Sequence, residues 1–84
     1  MEKKLTKKQK LDIAYQDLLD GHTLYYGDGE FSCVYIFESR RRPYKRLIGW
    51  ENYGRAAESL SKKNFKWILD TIFEEEDYLN YHIK

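Results

Sequence analysis

Cys33 is the only cysteine of this chain, and His22 and His82 are its only histidines, so the side chains able to serve as nucleophile or base near neutral pH can be weighed one at a time. Nucleophilic catalysis needs a Ser or Cys activated by a neighbouring base. A tight turn at Asp28-Gly29 would set Leu24 opposite Cys33 and leave His22 diagonal to that thiol on one sheet face. The alternative is a small structural cysteine and a histidine at a sheet end, and burial among apolar neighbours would keep the thiol protonated and inert.

Other chemistries find less support. One cysteine and two distant histidines lack the close-spaced ligand pairs of zinc sites, and Asp28-Gly29-Glu30 is too short for a calcium loop. Gly27-Asp28-Gly29 opens no helix and is accounted for by a hairpin turn. Gly49 and Gly54 have the glycine spacing of a phosphate loop, but Arg55-Ala56 stand where Lys and Ser/Thr would have to reach phosphate and magnesium. The carboxylates sit mostly at helix ends and in one run, so no acid–base pair stands out. The expectation is a protein that is not an enzyme, with no catalytic residue, no metal ligand and no cofactor.

Charge placement says more. Arg40, Arg41, Arg42, Lys45 and Arg46 surround the single proline in a chain of formal net charge +1. Between two strand-like tracts they belong at a hairpin tip or sheet edge, where a small domain displays a contact surface. Arginine forks suit phosphate or carboxylate, and Tyr44, Trp50 and Tyr53 are near enough in sequence to stack on bases. Charged residues are also what an exposed sheet edge needs to stay soluble. The candidate partner-binding set is therefore Arg40, Arg41, Arg42, Tyr44, Lys45, Arg46, Trp50 and Tyr53, with the acidic run Glu74, Glu75, Glu76 and Asp77 as the alternative patch. The low net charge weighs against a general nucleic-acid binder, which is usually basic throughout.

The elements that must position these residues follow from pattern. Thr6 with Gln9 is a capping box, and Leu11, Ala14, Tyr15 and Leu18 recur at helical spacing, which predicts a helix over 7–19 stopped by Asp20-Gly21. Segments 22–27 and 30–39 are rich in aromatic and β-branched residues and flank Asp28-Gly29, the dipeptide of two-residue hairpin turns. That turn predicts Tyr26 opposite Phe31, Leu24 opposite Cys33 and His22 opposite Tyr35, with Phe37 on the same apolar face. Val34 and Ile36 then fall on the other, partly wet face, where they need some cover. Residues 44–50 read as a third strand, 55–60 as a short helical turn, and Ser61 as the N-cap of a second helix. The buried stripe of that helix is Phe65, Ile68, Leu69, Ile72 and Phe73. After the acidic run, Tyr78, Leu79, Tyr81 and Ile83 read either as a frayed helical extension or as a short edge strand, with the alternation of Tyr81 and Ile83 favouring the strand. The predicted architecture is α+β, in the order α-β-β-β-α, with a three-stranded antiparallel sheet covered by helices on one face and a possible short C-terminal element.

Both helices carry their charges against the helix dipole. The first has Lys3, Lys4, Lys7, Lys8 and Lys10 at its start and Asp17 and Asp20 at its end. The second has Lys62, Lys63 and Lys66 early, with Asp70 and Glu74 to Glu76 late. Each misplaced charge costs a few tenths to about 1 kcal/mol. Antiparallel helices would pair each lysine-rich start with the other's acidic end; otherwise one patch is kept for a partner. Trp67 lies off the buried stripe, either as an interface anchor or as a cap on the core.

Eighty-four residues with 42% hydrophobic and 35% charged composition suit one small domain over 1–84. Such a chain buries only about 60 to 65% of the surface its unfolded form exposes. The single cysteine suits a reducing cytosol, and no stretch reaches signal-peptide or membrane-span length, so the expected setting is cytoplasmic and without a membrane. Lysine- and tyrosine-rich usage with one proline is common in proteins of AT-rich genomes.

The run Ile48-Gly-Trp-Glu-Asn-Tyr-Gly54 leading to Phe65-Lys-Trp-Ile-Leu-Asp-Thr-Ile-Phe73 resembles small early or accessory proteins of bacteriophages and prophages of low-GC Gram-positive bacteria. This is a genre rather than one family, it spans roughly residues 48–73, and it carries over no functional residue. The resemblance implies a non-enzymatic protein, phage- or prophage-encoded, acting in the bacterial host cell. It would bind a host protein of transcription, replication or defence as an inhibitor or adaptor, in the manner of anti-CRISPR proteins. The alternative is a nucleic-acid-binding regulator using the Arg40 to Arg46 turn. Either a monomer or a homodimer fits.

Overall fold

The computed structural model describes residues 4–26, 32–52 and 54–83. Helix α1 spans Lys7–Leu19 and opens on the expected capping box: the Thr6 hydroxyl accepts from the Gln9 backbone N–H at 3.1 Å, and the Gln9 side chain accepts from the Thr6 N–H at 2.8 Å. It closes at Asp20, followed by Gly21 at φ +98°, a conformation that side chains with a Cβ avoid. Helix α2 spans Lys62–Ile72, with the Ser61 hydroxyl accepting from the Asn64 N–H. Phe65, Ile68 and Leu69 of α2 are fully buried, and Ile72 and Phe73 pack against the core at partial burial.

Among the described residues, five antiparallel strands form one sheet in the order β4-β3-β2-β1-β5. They are β1 (Leu24–Tyr26), β2 (Ser32–Glu38), β3 (Arg46–Asn52), β4 (Arg55–Ser59) and β5 (Tyr81–Ile83), the last entered through a 3-10 turn at Glu75–Asp77. The fold is α+β with an antiparallel sheet, as the sequence implies, but three predicted strands become five. Residues 55–59 form β4 rather than a helical turn. Ala56, Ala57 and Glu58 have good helix propensity. Pairing of Arg55 to Ser59 along Glu51 to Leu47 outweighs it by completing the hydrogen bonds of β3. Of the two readings left open for the C-terminal segment, the strand holds: Tyr81–Ile83 is β5, which pairs with β1.

The hairpin register is a second correction. The Asp28-Gly29 turn itself, with the expected Tyr26 to Phe31 pair, falls outside the described residues. Beyond it Leu24 faces Val34 and Tyr25 faces Cys33, one residue away from the register that a two-residue loop would impose. Because side chains alternate, a one-residue slip turns one strand over relative to the other. Leu24, Tyr26, Val34, Ile36, Ile48 and Trp50 therefore share the face under the helices, and Tyr25, Cys33, Tyr35 and Phe37 take the other. The physical reason lies in burial: the branched chains of Val34 and Ile36 have no use for water, whereas a tyrosine can keep its hydroxyl wet. Strand β3 begins at Arg46 rather than Tyr44, and divides Ile48 and Trp50 from Leu47 and Gly49 as expected.

Leu11, Ala14 and Leu18 of α1, the α2 stripe, the inner sheet residues and Tyr78 make the core. Tyr78 is 1% exposed and ties the C-terminal segment inward. The buried Tyr26 hydroxyl donates to its carbonyl at 3.1 Å, its own hydroxyl donates to Asp70, and Tyr81 donates to Asp17. No helix among the described residues is long and apolar enough to cross a membrane.

Candidate functional site

Strands β2 and β3 run paired from Ser32 opposite Asn52 to Glu38 opposite Arg46, and the ladder closes where the Ser39 N–H donates to the Lys45 carbonyl at 2.8 Å. The Ser39 hydroxyl then organises the turn. It accepts from the Lys45 N–H at 3.0 Å and stands 3.1 Å and 3.3 Å from the carbonyls of Arg41 and Pro43. The Arg42-Pro43 peptide is cis. Arg40, Arg41, Arg42, Lys45 and Arg46 are all exposed, and Tyr44 among them is 64% exposed. Among the described residues, no ion pair joins any of the five cations to a carboxylate.

The helix charges behave differently. Lys7 in the first turn of α1 lies 3.1 Å from Asp70 near the end of α2, and Lys62 at the start of α2 pairs with Asp12. The helices are thus antiparallel, and each basic start is met by a carboxylate of its neighbour. Lys66 also reaches Asp70 at 3.1 Å. Burial alone would raise the Asp70 carboxyl, but hydrogen bonds from Lys7 and Lys66 hold it below the usual carboxylate range. The acidic alternative, Glu74 to Asp77, is partly met in the same way: Glu74, Glu75 and Glu76 line a groove with Lys4, Leu5 and Lys10 at the start of α1. The Glu76 carboxyl is pushed up by a hydrogen bond with Glu74 and by the charges of Glu74 and Asp77.

Register separates the two patches. Tyr81 is level with Tyr26, so Glu74 to Asp77 precede β5 at the end of the sheet where β1 runs out. The basic turn lies beyond the Glu38 and Arg46 pair at the opposite end, in a molecule 51 Å long. They cannot neutralise each other across the fold.

Not all of the sequence-predicted set comes together. Tyr44 stands within the arginine cluster. Trp50 does not: it lies four residues along β3 from Arg46, roughly 13 Å at strand rise, on the helix-covered face, edge-on to Trp67 with ring centroids 5.9 Å apart. Trp67 is 53% exposed, so it both flanks Trp50 and faces water. Tyr53 lies outside the described residues.

What sequence reading missed is the uncovered sheet face. Tyr35, Gly49 and Ala57 form one cross-strand row and Phe37, Leu47 and Ser59 the next. The Tyr35 and Phe37 rings lie 5.7 Å apart and drape over Gly49, whose missing Cβ makes the room. They lead directly to the hairpin: Tyr35, Phe37, Glu38, Arg40, Arg55, Ala56 and Ala57 line one open groove of about 670 Å³. The alternation of Cys33, Tyr35 and Phe37 is legible in the sequence. Which face it occupies depends on the register.

Cys33 is 7% exposed, and burial, then a contact to the Glu51 carboxylate at 3.6 Å, push its thiol up. His22 is exposed and lies outside β1, and the thiol contacts the Glu51 carboxylate instead of an imidazole. Among the described residues no cluster of His, Cys, Asp and Glu could hold a metal ion. Comparison with known protein families, with curated proteins and with solved structures finds no match.

Proposed function

We propose that this chain is a small non-enzymatic binding protein that docks its β2–β3 hairpin tip on an acidic surface of another protein and modulates it as an inhibitor or adaptor. One observation carries the reading: three helix lysines, Lys7, Lys62 and Lys66, are paired with carboxylates of the fold, while all five hairpin cations, clustered in one turn, are exposed and none has such a partner among the described residues. Charge complementarity then supplies orientation and encounter rate more than raw affinity. In the setting suggested by the phage-like resemblance, the partner is a protein of the bacterial host cell.

Single-stranded nucleic acid is the second reading. The run from Arg40 through Phe37 and Tyr35 to Arg55 favours it, because aromatic faces beside arginines stack bases and hold phosphates. Against it, Glu38 lines the same groove and Glu51 holds Arg55 in an ion pair, so positive charge is concentrated at the tip and makes no continuous track. The test pairs wild type with the triple variant Arg40→Ala, Arg41→Ala, Arg42→Ala. Affinity capture from the producing cell should retain a protein partner that the triple variant loses. Tight binding of a single-stranded oligonucleotide, steeply salt-dependent and abolished in the triple variant, would overturn the protein reading.

A further inference from the structure

We infer that the outer edge of β4 pairs with β4 of a second copy of this chain, antiparallel about Ala57, joining two five-stranded sheets into one. This surface is separate from the hairpin tip and does not depend on the role proposed for it. All five residues of β4 are exposed, and among the described residues the strand has one neighbour only.

Backbone geometry says which groups are free. The Leu60 N–H donates to the Arg46 carbonyl at 3.2 Å and the Asn52 N–H to the Gly54 carbonyl at 3.0 Å, so the even-numbered residues of this hairpin form the hydrogen-bonded pairs. Arg55, Ala57 and Ser59 therefore aim their N–H and C=O groups away from β3. An unpaired edge of this kind is a template for another strand. Natural edges are blunted by proline, a bulge or an inward charge; β4 has no proline, its register with β3 runs without interruption, and Glu58, its charge on the helix side, is exposed rather than buried. Its one cation, Arg55, is drawn back to Glu51 at 2.7 Å.

Self-complementarity selects a second copy as the occupant. Centred on Ala57, the antiparallel pairing places Arg55 opposite Ser59 of the second copy and Ala56 opposite its Glu58, using every residue of β4 and making about six hydrogen bonds. Centring on Glu58 would set two carboxylates face to face, and centring on Ala56 would leave Ser59 beyond the ladder. Two alanines at the centre let the backbones approach without side-chain obstruction. The two-fold axis of such a pair is perpendicular to the sheet, so all four helices stay on one side. The two open faces become continuous through the grooves that reach Ala56 and Ala57. Trp67, half exposed, lines a smaller groove with Glu58 of β4, Lys63 and Asn64 beside that edge.

The test uses the full chain and sedimentation velocity across a concentration series. Ala57→Pro removes an N–H that points away from β3, so it spares the β3–β4 ladder and blocks only the outer edge. Ala57→Lys opposes two cations on the axis without touching the backbone. Wild type should sediment as a dimer at tens of micromolar, and either variant should raise the dissociation constant at least about tenfold, with the far-ultraviolet circular dichroism of Ala57→Lys unchanged. A monomeric wild type at several hundred micromolar, or a dimer that persists in Ala57→Lys, would overturn the inference. If Ala57→Pro fails to fold, Ala57→Lys decides alone.

Discussion

A Cβ built on Gly49 would stand 2.8 Å from Cε2 of Tyr35 and 2.9 Å from Cε1 of Phe37, so two aromatic rings occupy the volume that any other residue would claim. Glycine inside a strand ordinarily weakens it. Here it lets the rings lie across the open face of β3 and cover the exposed backbone.

Gly49→Ala should therefore lift Tyr35 and Phe37 off the sheet despite the better strand propensity of alanine. Because both rings can swing toward solvent, the expected cost is about 1 kcal/mol. Urea unfolding measures it, and near-ultraviolet circular dichroism reports the displaced rings. A Gly49→Ala variant at least as stable as wild type would show that the rings do not depend on the gap.

Ser39 holds the basic turn through one hydroxyl that touches Arg41, Pro43 and Lys45. Ser39→Ala removes all three contacts at an exposed site, which should cost about 0.5 to 1.5 kcal/mol at most. Partner affinity should fall by more than that change in stability, since the arginines would no longer be presented in one arrangement. Ser39→Thr should restore binding.

Asp70 gathers Lys7, Lys66 and the Tyr78 hydroxyl. Its carboxyl is held below the ordinary value of 3.8, so its contribution is complete above that pH and is lost as pH falls through the lower folded value. Asp70→Asn should cost about 1 kcal/mol or less at neutral pH, because both lysines are solvated. The difference from wild type should shrink as pH falls below the ordinary carboxylate value in acid-unfolding curves.

Tyr26 gives the opposite pH dependence. Burial, with the nearby Tyr81 and Asp17, pushes its hydroxyl far above the ordinary value of 10.0, so the folded state keeps a proton that the unfolded chain releases. Stability from this group is full below pH 10 and falls as pH rises beyond it. Tyr26→Phe should cost about 1 kcal/mol at pH 7 by leaving the Tyr78 carbonyl without its donor. It should also soften the alkaline loss of stability, as read from thermal unfolding at pH 8 and pH 11.

Local signals were legible wherever a residue and its near neighbours settle the outcome. Thr6 with Gln9, Gly21, Ser61 and the Phe65 to Phe73 stripe each act over one or two helical turns, and the helices sit where these residues require. The composition of the basic turn was equally plain. Its isolation was not, because that depends on which distant carboxylates reach the lysines instead.

What the sequence by itself determined is the two helices, the α+β class, the strand character of most of 24–50 and the identity of the arginine cluster. Only the tertiary structure decided that Cys33, Tyr35 and Phe37 face outward, that residues 55–59 add a strand, and that Glu74 to Asp77 lie at the far end from Arg40 to Arg46. The reason is physical. Strand pairing is non-local, and a shift of one residue reverses which side chains are buried, so the outcome rests on what the helices can cover. Helix capping and periodicity, by contrast, are complete within the segment that carries them.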